Sequence, residues 1–139
     1  MPVYFHNEDI SFHFKNKRKI TYWLHDAVNS FDKEIKTINF IFCSDKYLLS
    51  INKSYLKQNY YTDVITFDYC EGKLISGDVF ISIDRVEDYS IKNKVQFNNE
   101  IHRIIIHGVL HLCGLNDKTD KEKKKMRKHE NKFLKSLSI

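Results

Sequence analysis

The central stretch of the chain, residues 98–117, reads NNEIHRIIIHGVLHLCGLND. Its apolar residues recur at three- and four-residue spacing, which predicts a helix with one buried face. We expect Asn98 to cap the start of this helix and Cys113 to stand near its end. Gly114 is then placed where a glycine ends a helix by adopting a left-handed backbone. The apolar members of the face are Ile101, Ile104, Ile105, Val109 and Leu112.

The segments on either side of this helix predict a sheet and further helices. Helical spacing marks three upstream segments: Lys15–Ser30, Asp45–Tyr55 with Ser44 as its cap, and Asp84–Lys94. β-Branched and aromatic runs predict three strands: Lys36–Cys43, Asp63–Tyr69 and Leu74–Ile83. The last two strands are separated by a turn with Gly72 and are expected to form a hairpin. Downstream, Thr119 and Glu122 form a capping box that begins an outer helix to about Leu137.

These elements predict an α/β (α+β) fold in which helices cover a small mixed sheet. The chain has 139 residues with one Pro and four Gly, and no linker or repeat divides it, so we expect residues 1–139 to form a single domain. No apolar run approaches the roughly 18 residues of a membrane helix. The N-terminus lacks the basic and apolar regions of a secretion signal, so the expected location is cytoplasmic.

Cysteines and charge limit the function further. Cys43, Cys70 and Cys113 are an odd number without CxxC spacing, which favours buried apolar residues over disulfides. The net charge is +5, and the excess lies in residues 117–139, which carry nine basic and four acidic side chains. Such a concentration either attracts phosphate polymers or forms a solvated helix face. Three of its lysines are consecutive: Lys123, Lys124 and Lys125.

Two histidines on the central helix predict a metal site. His107 and His111 are four residues apart, so one helix face presents both imidazoles to one ion. Asp117 follows ten residues after His107, at the position of the third ligand in the metzincin pattern. Three ligands with an open position are typical of a catalytic zinc site. In the alternative interpretation, the histidine pair arises by chance and Asp117 caps a turn or the next helix.

The residue after His107 indicates which chemistry the site lacks. Zinc peptidases of this pattern carry a glutamate there, which acts as general base. Position 108 is glycine. The loss of a general base costs roughly 10²–10⁴ in rate, so the sequence disfavours proteolysis. Metal chemistry without a side-chain base suits a phosphodiester substrate, whose oxygens can bind the ion directly.

The segment HGVLHLCGLND resembles the HGxLHLxGxDH signature of the YbeY family of rRNA maturation factors. Residues 51–67, INKSYLKQNYYTDVITF, are similar to the family's LNxxYRxxDxPTDVLSF, and residues 76–82, SGDVFIS, are similar to GDIxIS. The resemblance covers most of residues 36–126. It implies an α/β domain and a metal-dependent, single-strand-specific endoribonuclease that processes the 3′ end of 16S rRNA and acts in ribosome quality control. Its implied partners are rRNA and the ribosome, with no membrane and no small-molecule cofactor.

The chain departs from the family pattern at two positions. Asp117 stands where the family has a third histidine, and Leu56 stands where it has an arginine that helps to position RNA phosphate. Lys57 is adjacent to Leu56, but a neighbouring side chain on a helix points about 100° away. Thr62 and Asp63 match the family's threonine–aspartate/asparagine pair. Asp63 either lines the cleft or simply begins a strand.

The sequence therefore predicts a zinc-dependent endoribonuclease with His107 and His111 as catalytic metal ligands and Asp117 as the third ligand. With the resemblance, the basic C-terminal helix is expected to contact RNA or the ribosome. Two other functions stay open. One is a metal-dependent peptidase of metzincin type, and the other is a non-catalytic ribosome-associated protein in which zinc fixes the fold.

Overall fold

The computed structural model describes residues 2–139, and within them the chain forms four strands and five helices. The strands are β1 Val3–Asn7, β2 Glu34–Cys43, β3 Val64–Asp68 and β4 Leu74–Ser82. The helices are α1 Lys17–Asn29, α2 Asp45–Leu56, α3 Ile83–Lys92, α4 Phe97–Leu112 and α5 Asp120–Ser136.

The four strands form one mixed sheet in the order β1-β2-β4-β3. β1 and β4 both run parallel to β2, whereas β3 pairs antiparallel with β4 and forms one edge. β2 lies inside the sheet, and its side chains alternate between buried and more exposed along the strand, as expected for period-two geometry. The sheet is therefore the small mixed sheet that the sequence predicts.

Helix α4 lies between the sheet and α5. It packs on β3 and β4, α5 packs on α4, and α1 packs on β2 beside it. Most of α4 is buried, including Ile101, Ile105 and Leu110 at 1% exposure or less. Burying a side chain of this size contributes about 1.5–3 kcal/mol, so this packing fixes the position of α4 firmly. Helix α2 covers the opposite face of the sheet with a smaller cluster of Cys43, Leu48 and Ile65.

Most predicted elements are confirmed within one to three residues. The β3–β4 hairpin forms, with Gly72 at φ 59°, and Ser44 caps α2 by accepting a hydrogen bond from the Tyr47 N–H at 3.0 Å. Helix α5 lies on the outside, and its buried residues are Met126, Glu130 and Phe133.

Two sequence predictions need correction. The prediction that Asn98 caps α4 is wrong: the helix begins at Phe97, and Gln96 holds the extended N-cap conformation without a side-chain bond. Phe97 packs against the core, with its ring 5.8 Å from that of Phe12, and this packing places the helix start earlier than the cap signal does. Strand β1 is missing from the prediction, because five residues at a sheet edge give only a weak pattern.

None of the helices formed within residues 2–139 has the length and apolar character needed to cross a membrane.

Glycine at position 77 lets the sheet and α4 approach closely. A Cβ built on Gly77 would lie 2.6 Å from the Phe67 carbonyl oxygen and 2.8 Å from Leu112 Cδ2. A Cβ on Gly108 of α4 would instead meet the Val79 side chain, 2.9 Å from Cγ1. Gly77 faces a backbone atom held in the β3–β4 pair, whereas Gly108 faces a side chain that can shift.

We expect Gly77→Ala to lower the free energy of unfolding by about 1–3 kcal/mol, the usual range for overpacking. Gly108→Ala is the matched control. Its loss should be smaller, because alanine is favoured over glycine within a helix by about 1 kcal/mol. Urea denaturation measures both variants. An equal or larger loss for Gly108→Ala would contradict this ranking.

Candidate metal centre

The three sequence-predicted ligands converge on one point. His107 Nε2 lies 3.1 Å from His111 Nε2, and both nitrogens lie 3.3 Å from Asp117 Oδ2. The three are the one group of three or more histidine, cysteine and acidic side chains in residues 2–139 whose donor atoms lie close enough to hold a metal ion. The two imidazoles come from successive turns of α4, and the carboxylate comes from the loop that follows.

Two helix caps determine where Asp117 lies. Gly114, at φ 100°, ends α4: its N–H donates to the His111 carbonyl at 2.9 Å, and the Leu115 N–H donates to the Leu110 carbonyl at 3.0 Å. This paired arrangement is the Schellman motif, which turns the chain back sharply. Three residues beyond Gly114, Asp117 has therefore returned to the histidines.

The second cap lies just after Asp117. The Thr119 hydroxyl accepts from the Glu122 N–H at 3.1 Å, and the Glu122 carboxylate accepts from the Thr119 N–H at 2.9 Å. This is the capping box that the sequence predicts. The cap of α5 is thus Thr119, and Asp117 does not cap this helix. Its carboxylate points to the two imidazoles instead.

The spacing of the three donor atoms fits a tetrahedral ion. Zinc binds imidazole nitrogen and carboxylate oxygen at about 2.0–2.2 Å, so two ligands of a tetrahedron lie about 3.3–3.5 Å apart. The observed separations are 3.1, 3.3 and 3.3 Å. Two imidazoles with one carboxylate are also a donor set that suits zinc and leaves a fourth position open. These three residues could therefore hold a catalytic zinc ion.

A buried glutamate on α5 orients His107. Glu130 Oε2 lies 2.7 Å from His107 Nδ1, and Glu130 Oε1 lies 3.0 Å from Arg103 Nη1. Arg103 also donates to Asn131 at 2.9 Å. A carboxylate on Nδ1 holds the proton there, which leaves Nε2 as the lone-pair donor facing His111 and Asp117. The ring that could bind a metal is thus fixed in both rotation and tautomer.

The electrostatics of this pair follow from its geometry. Burial raises the pKa of Glu130, but its bonds to His107 and Arg103 outweigh that effect and hold the pKa below its ordinary value. Burial lowers the pKa of His107, yet the bond to Glu130 and the charges of Glu130 and Asp117 bring it above its ordinary value. The carboxylates of Glu130 and Asp117 beside His107 thus favour a positive charge at this ring.

Two clefts meet at the donor atoms. The larger, about 630 Å³, is lined by β3 and the loop after α4, and includes Tyr60, Thr66 and Asn116. The smaller, about 320 Å³, lies between α3, α4 and α5, and includes Tyr89 and Glu100. Four residues line both clefts: Asp63, Val64, His107 and Asp117. An extended ligand could thus pass the donor atoms from one cleft to the other.

The structure answers the question that the sequence leaves open about Asp63. It lies directly before β3 and also lines both clefts, and Thr62 lines the larger one. Burial raises the pKa of Asp63, although nearby His107 partly opposes this. By contrast, neither Leu56 nor Lys57 is among the described residues that line either cleft. Lys57 ends α2 in a left-handed conformation, and Leu56 is 41% exposed.

Position 108 has a structural reason to be glycine. Gly108 is buried where α4 crosses β4, and an added Cβ would lie 2.9 Å from Val79 Cγ1. Glycine at this position supplies no side chain that could act as the general base of a zinc peptidase.

Other histidines and all three cysteines lie outside the centre. His102 is buried in the core, and His6 is exposed and bonded to Asn39. Burial raises the pKa of Cys43 to about 12 and that of Cys113 to about 11, which keeps both thiols protonated. Cys70 is half-buried, and none of the three forms a disulfide.

Glu130 and Arg103 are missing from the sequence prediction. Glu130 is separated from His107 by 23 residues, and the contact depends on how α5 packs. A local signal does exist, because Met126, Glu130 and Phe133 follow helical spacing and place a carboxylate within an apolar stripe. A buried charge in such a stripe requires a partner.

Comparisons with known proteins identify the family and the fold. The family model described as Endoribonuclease YbeY matches residues 3–138, a wider span than the motifs alone indicate. Proteins named Endoribonuclease YbeY include one from Bacteroides fragilis, 45% identical over 96% of this chain and 96% of its own length. Another, from Karelsulcia muelleri, is 48% identical over 91% of this chain and 89% of its own length. The solution structure of TM1509 from Thermotoga maritima shares the fold, with a TM-score of 0.69 and 23% identity, covering 97% of this chain and 88% of that one.

We expect Glu130→Gln to lower zinc affinity by roughly 10–100-fold, which is the usual effect of losing a carboxylate that hydrogen-bonds to a metal-binding histidine. Glutamine keeps the size of the side chain and an acceptor oxygen but loses the charge that strengthens the bond to His107. Glu87→Gln, on the exposed surface of α3, is the control and should bind zinc as the parent does. Competition with a fluorescent chelator measures both affinities. An unchanged affinity in Glu130→Gln would contradict the orienting role.

Proposed function

The chain belongs to the YbeY endoribonuclease family, and we propose that it is a zinc-dependent, single-strand-specific endoribonuclease of rRNA maturation. Residues 1–139 would act as one domain in the cytoplasm. Its substrate would be rRNA on or near the ribosome, with the 3′ end of 16S rRNA as the site of processing and ribosome quality control as the wider role.

One observation carries this proposal: the three donor atoms lie where two open clefts meet. A structural zinc site is normally closed by four protein ligands, whereas a catalytic site keeps one position open. Here three side chains converge, and the junction of the clefts leaves the remaining side accessible. The geometry therefore favours catalysis over a purely structural role.

We assign His107, His111 and Asp117 as the ligands. A zinc ion bound there would supply Lewis-acid chemistry to a phosphate oxygen and make a bound water more acidic. The protein's own contribution is positional. Glu130 holds the His107 proton at Nδ1, and Arg103 keeps Glu130 ionised. Asp63 lies beside the junction, where it can accept a hydrogen bond from an approaching hydroxyl group or water.

The positive charge of α5 is distributed unevenly around the site. Lys123 and Arg127 line the smaller cleft, one turn apart, on the side of the helix that faces His107. Lys124 and Lys128 are exposed and point away from it, because each is rotated by about 100° from the preceding residue. We infer that Lys123 and Arg127 attract the RNA phosphates and that the other lysines mainly form a solvated face.

The two other functions have weaker support. A peptidase of this pattern would need a general base at position 108, which is glycine here. A non-catalytic zinc protein would not need ligands at the junction of open clefts.

The central experiment incubates purified protein with a labelled single-stranded RNA in three conditions: with zinc, with a chelator, and with zinc restored. We expect cleavage that the chelator abolishes and zinc restores. Binding of RNA or ribosomes without cleavage would support the non-catalytic function. Cleavage of casein in place of RNA would support the peptidase.

Variants of Asp117 test the ligand assignment within the same assay. Asp117→Ala should lower zinc affinity by more than the 10–100-fold that is typical of losing a group hydrogen-bonded to a ligand. RNA cleavage should fall with the zinc affinity. Asp117→His should retain zinc, because imidazole nitrogen binds the ion at about 2.0–2.1 Å, a distance similar to that of carboxylate oxygen. Zinc titrations measure both. Parental affinity in Asp117→Ala would contradict the assignment.

The unequal distribution of charge on α5 predicts an unequal effect on RNA binding. Replacing Lys123 and Arg127 together by Gln should reduce the slope of log affinity against log salt by about 1.4, which corresponds to two phosphate contacts on a single strand. The matched control replaces Lys124 and Lys128, an equally spaced pair on the far side, and should change the slope much less. Fluorescence anisotropy over a salt series measures both, and equal changes would show that the cleft side has no special role.

A further inference from the structure

Glu100 is a buried carboxyl group that the metal centre does not use. It lies seven residues before His107 on α4, so the two side chains project from the same side of the helix, two turns apart. Glu100 is 6% exposed and lines the smaller cleft. Within residues 2–139, no hydrogen bond or ion pair to its carboxylate is formed.

A comparison with Glu130 shows how unusual this is. The two glutamates are equally buried, at 6% and 5% exposure. Glu130 is bonded to His107 and Arg103 and lies 3.7 Å from Arg127. Burial raises the pKa of Glu100; the charges of Arg103 and Arg127 partly oppose this, whereas those of Asp63 and Glu130 add to it. The Glu100 carboxylate borders the cleft and has no protein donor, so a ligand that supplies N–H donors there would be favoured.

The walls around Glu100 suit a flat ring. The cleft of about 320 Å³ has apolar sides formed by Ile104 and Met126, and Tyr89 contributes an aromatic ring that is 41% exposed. Lys123 and Arg127 add positive charge to the same cleft. Apolar and aromatic sides, one buried acceptor and nearby cations match a nucleobase with its attached phosphate.

Two other roles for Glu100 do not fit its position. It is about 10 Å along the helix axis from His107, too far to act on a phosphate held at the metal ligands. It also does not belong to a second metal site among the described residues, since the one qualifying donor group is His107, His111 and Asp117.

We propose that Glu100 and Tyr89 form a base-binding pocket, which selects guanine in the RNA strand next to the scissile phosphate. This inference rests on the proposed function. Ionised Glu100 would accept two hydrogen bonds, from guanine N1–H and the 2-amino group, while Tyr89 stacks on the base. Guanine is the one RNA base with two adjacent N–H donors on its Watson–Crick edge. Adenine and cytosine each present one donor beside an acceptor and would need a protonated carboxyl group.

The test measures binding of zinc-loaded protein to fluorescent 2′-O-methyl pentanucleotides that differ only at the central base. The strands are UUGUU, UUIUU with inosine, UUAUU, UUCUU and UUUUU, and electrophoresis after each titration verifies that they stay intact. Inosine keeps N1–H but lacks the 2-amino group. We expect UUGUU to bind roughly 10-fold more tightly than UUUUU, with UUIUU between them, since a bidentate pair discriminates by this order.

In Glu100→Gln, a near-isosteric change, the advantage of UUGUU should fall to about 2-fold or less, while Glu87→Gln should retain it. A guanine preference that survives in Glu100→Gln, or a preference for adenine or cytosine, would overturn the proposal. The inosine comparison uses the parent protein alone, so the test stands even if Glu100→Gln does not fold. Tight binding without base discrimination would refute only this pocket, whereas failure to bind any strand would also count against the proposed function.

Discussion

The 2.7 Å contact between His107 Nδ1 and Glu130 Oε2 joins α4 to α5 beside the candidate metal centre. This contact sets the tautomer of His107. It also holds α5 against α4 and fixes the rotation of α5 about its own axis. Because of that rotation, Lys123 and Arg127 line the cleft, whereas Lys124 and Lys128 do not. The same carboxylate also pairs with Arg103, so one buried charge supports both the candidate ligand His107 and the cationic side of the cleft. Removing the Glu130 carboxylate would leave His107 and Arg103 without this partner in a poorly solvated region.

Helix α4 has to meet two requirements at once. One side packs on β3 and β4, and the other presents His107 and His111 to the clefts. Glycines make this compatible, because Gly77 in β4 and Gly108 in α4 allow the helix to approach the sheet closely. The close approach brings His107 next to the start of β3, where Asp63 stands. Position 108, at this helix–sheet contact, is a glycine and has no side chain that could act as a general base.

Features that depend on neighbouring residues could be predicted from the sequence. The i, i+4 histidines, Gly114 and the Thr119–Glu122 box each specify local geometry, and together they place Asp117 at the site. Features that depend on packing could not. The partner of His107 is 23 residues away, β1 is stabilised by its contact with β2, and the start of α4 follows the packing of Phe97 rather than the capping preference of Asn98. Periodicity places a residue on a face of its own helix, but it does not say which side chain of another helix that face will meet.

The short loop between Gly114 and Thr119 has a thermodynamic consequence. The three donor atoms are close together only when α4 has ended, turned and led into α5, so the unfolded chain offers no comparable site. An ion bound there adds to the free energy of unfolding by mass action, about 4 kcal/mol when its free concentration is 1,000 times the dissociation constant. Metal supply would then control more than catalysis. A cell short of the ion would hold a less stable protein that opens more often, and proteases would lower its abundance.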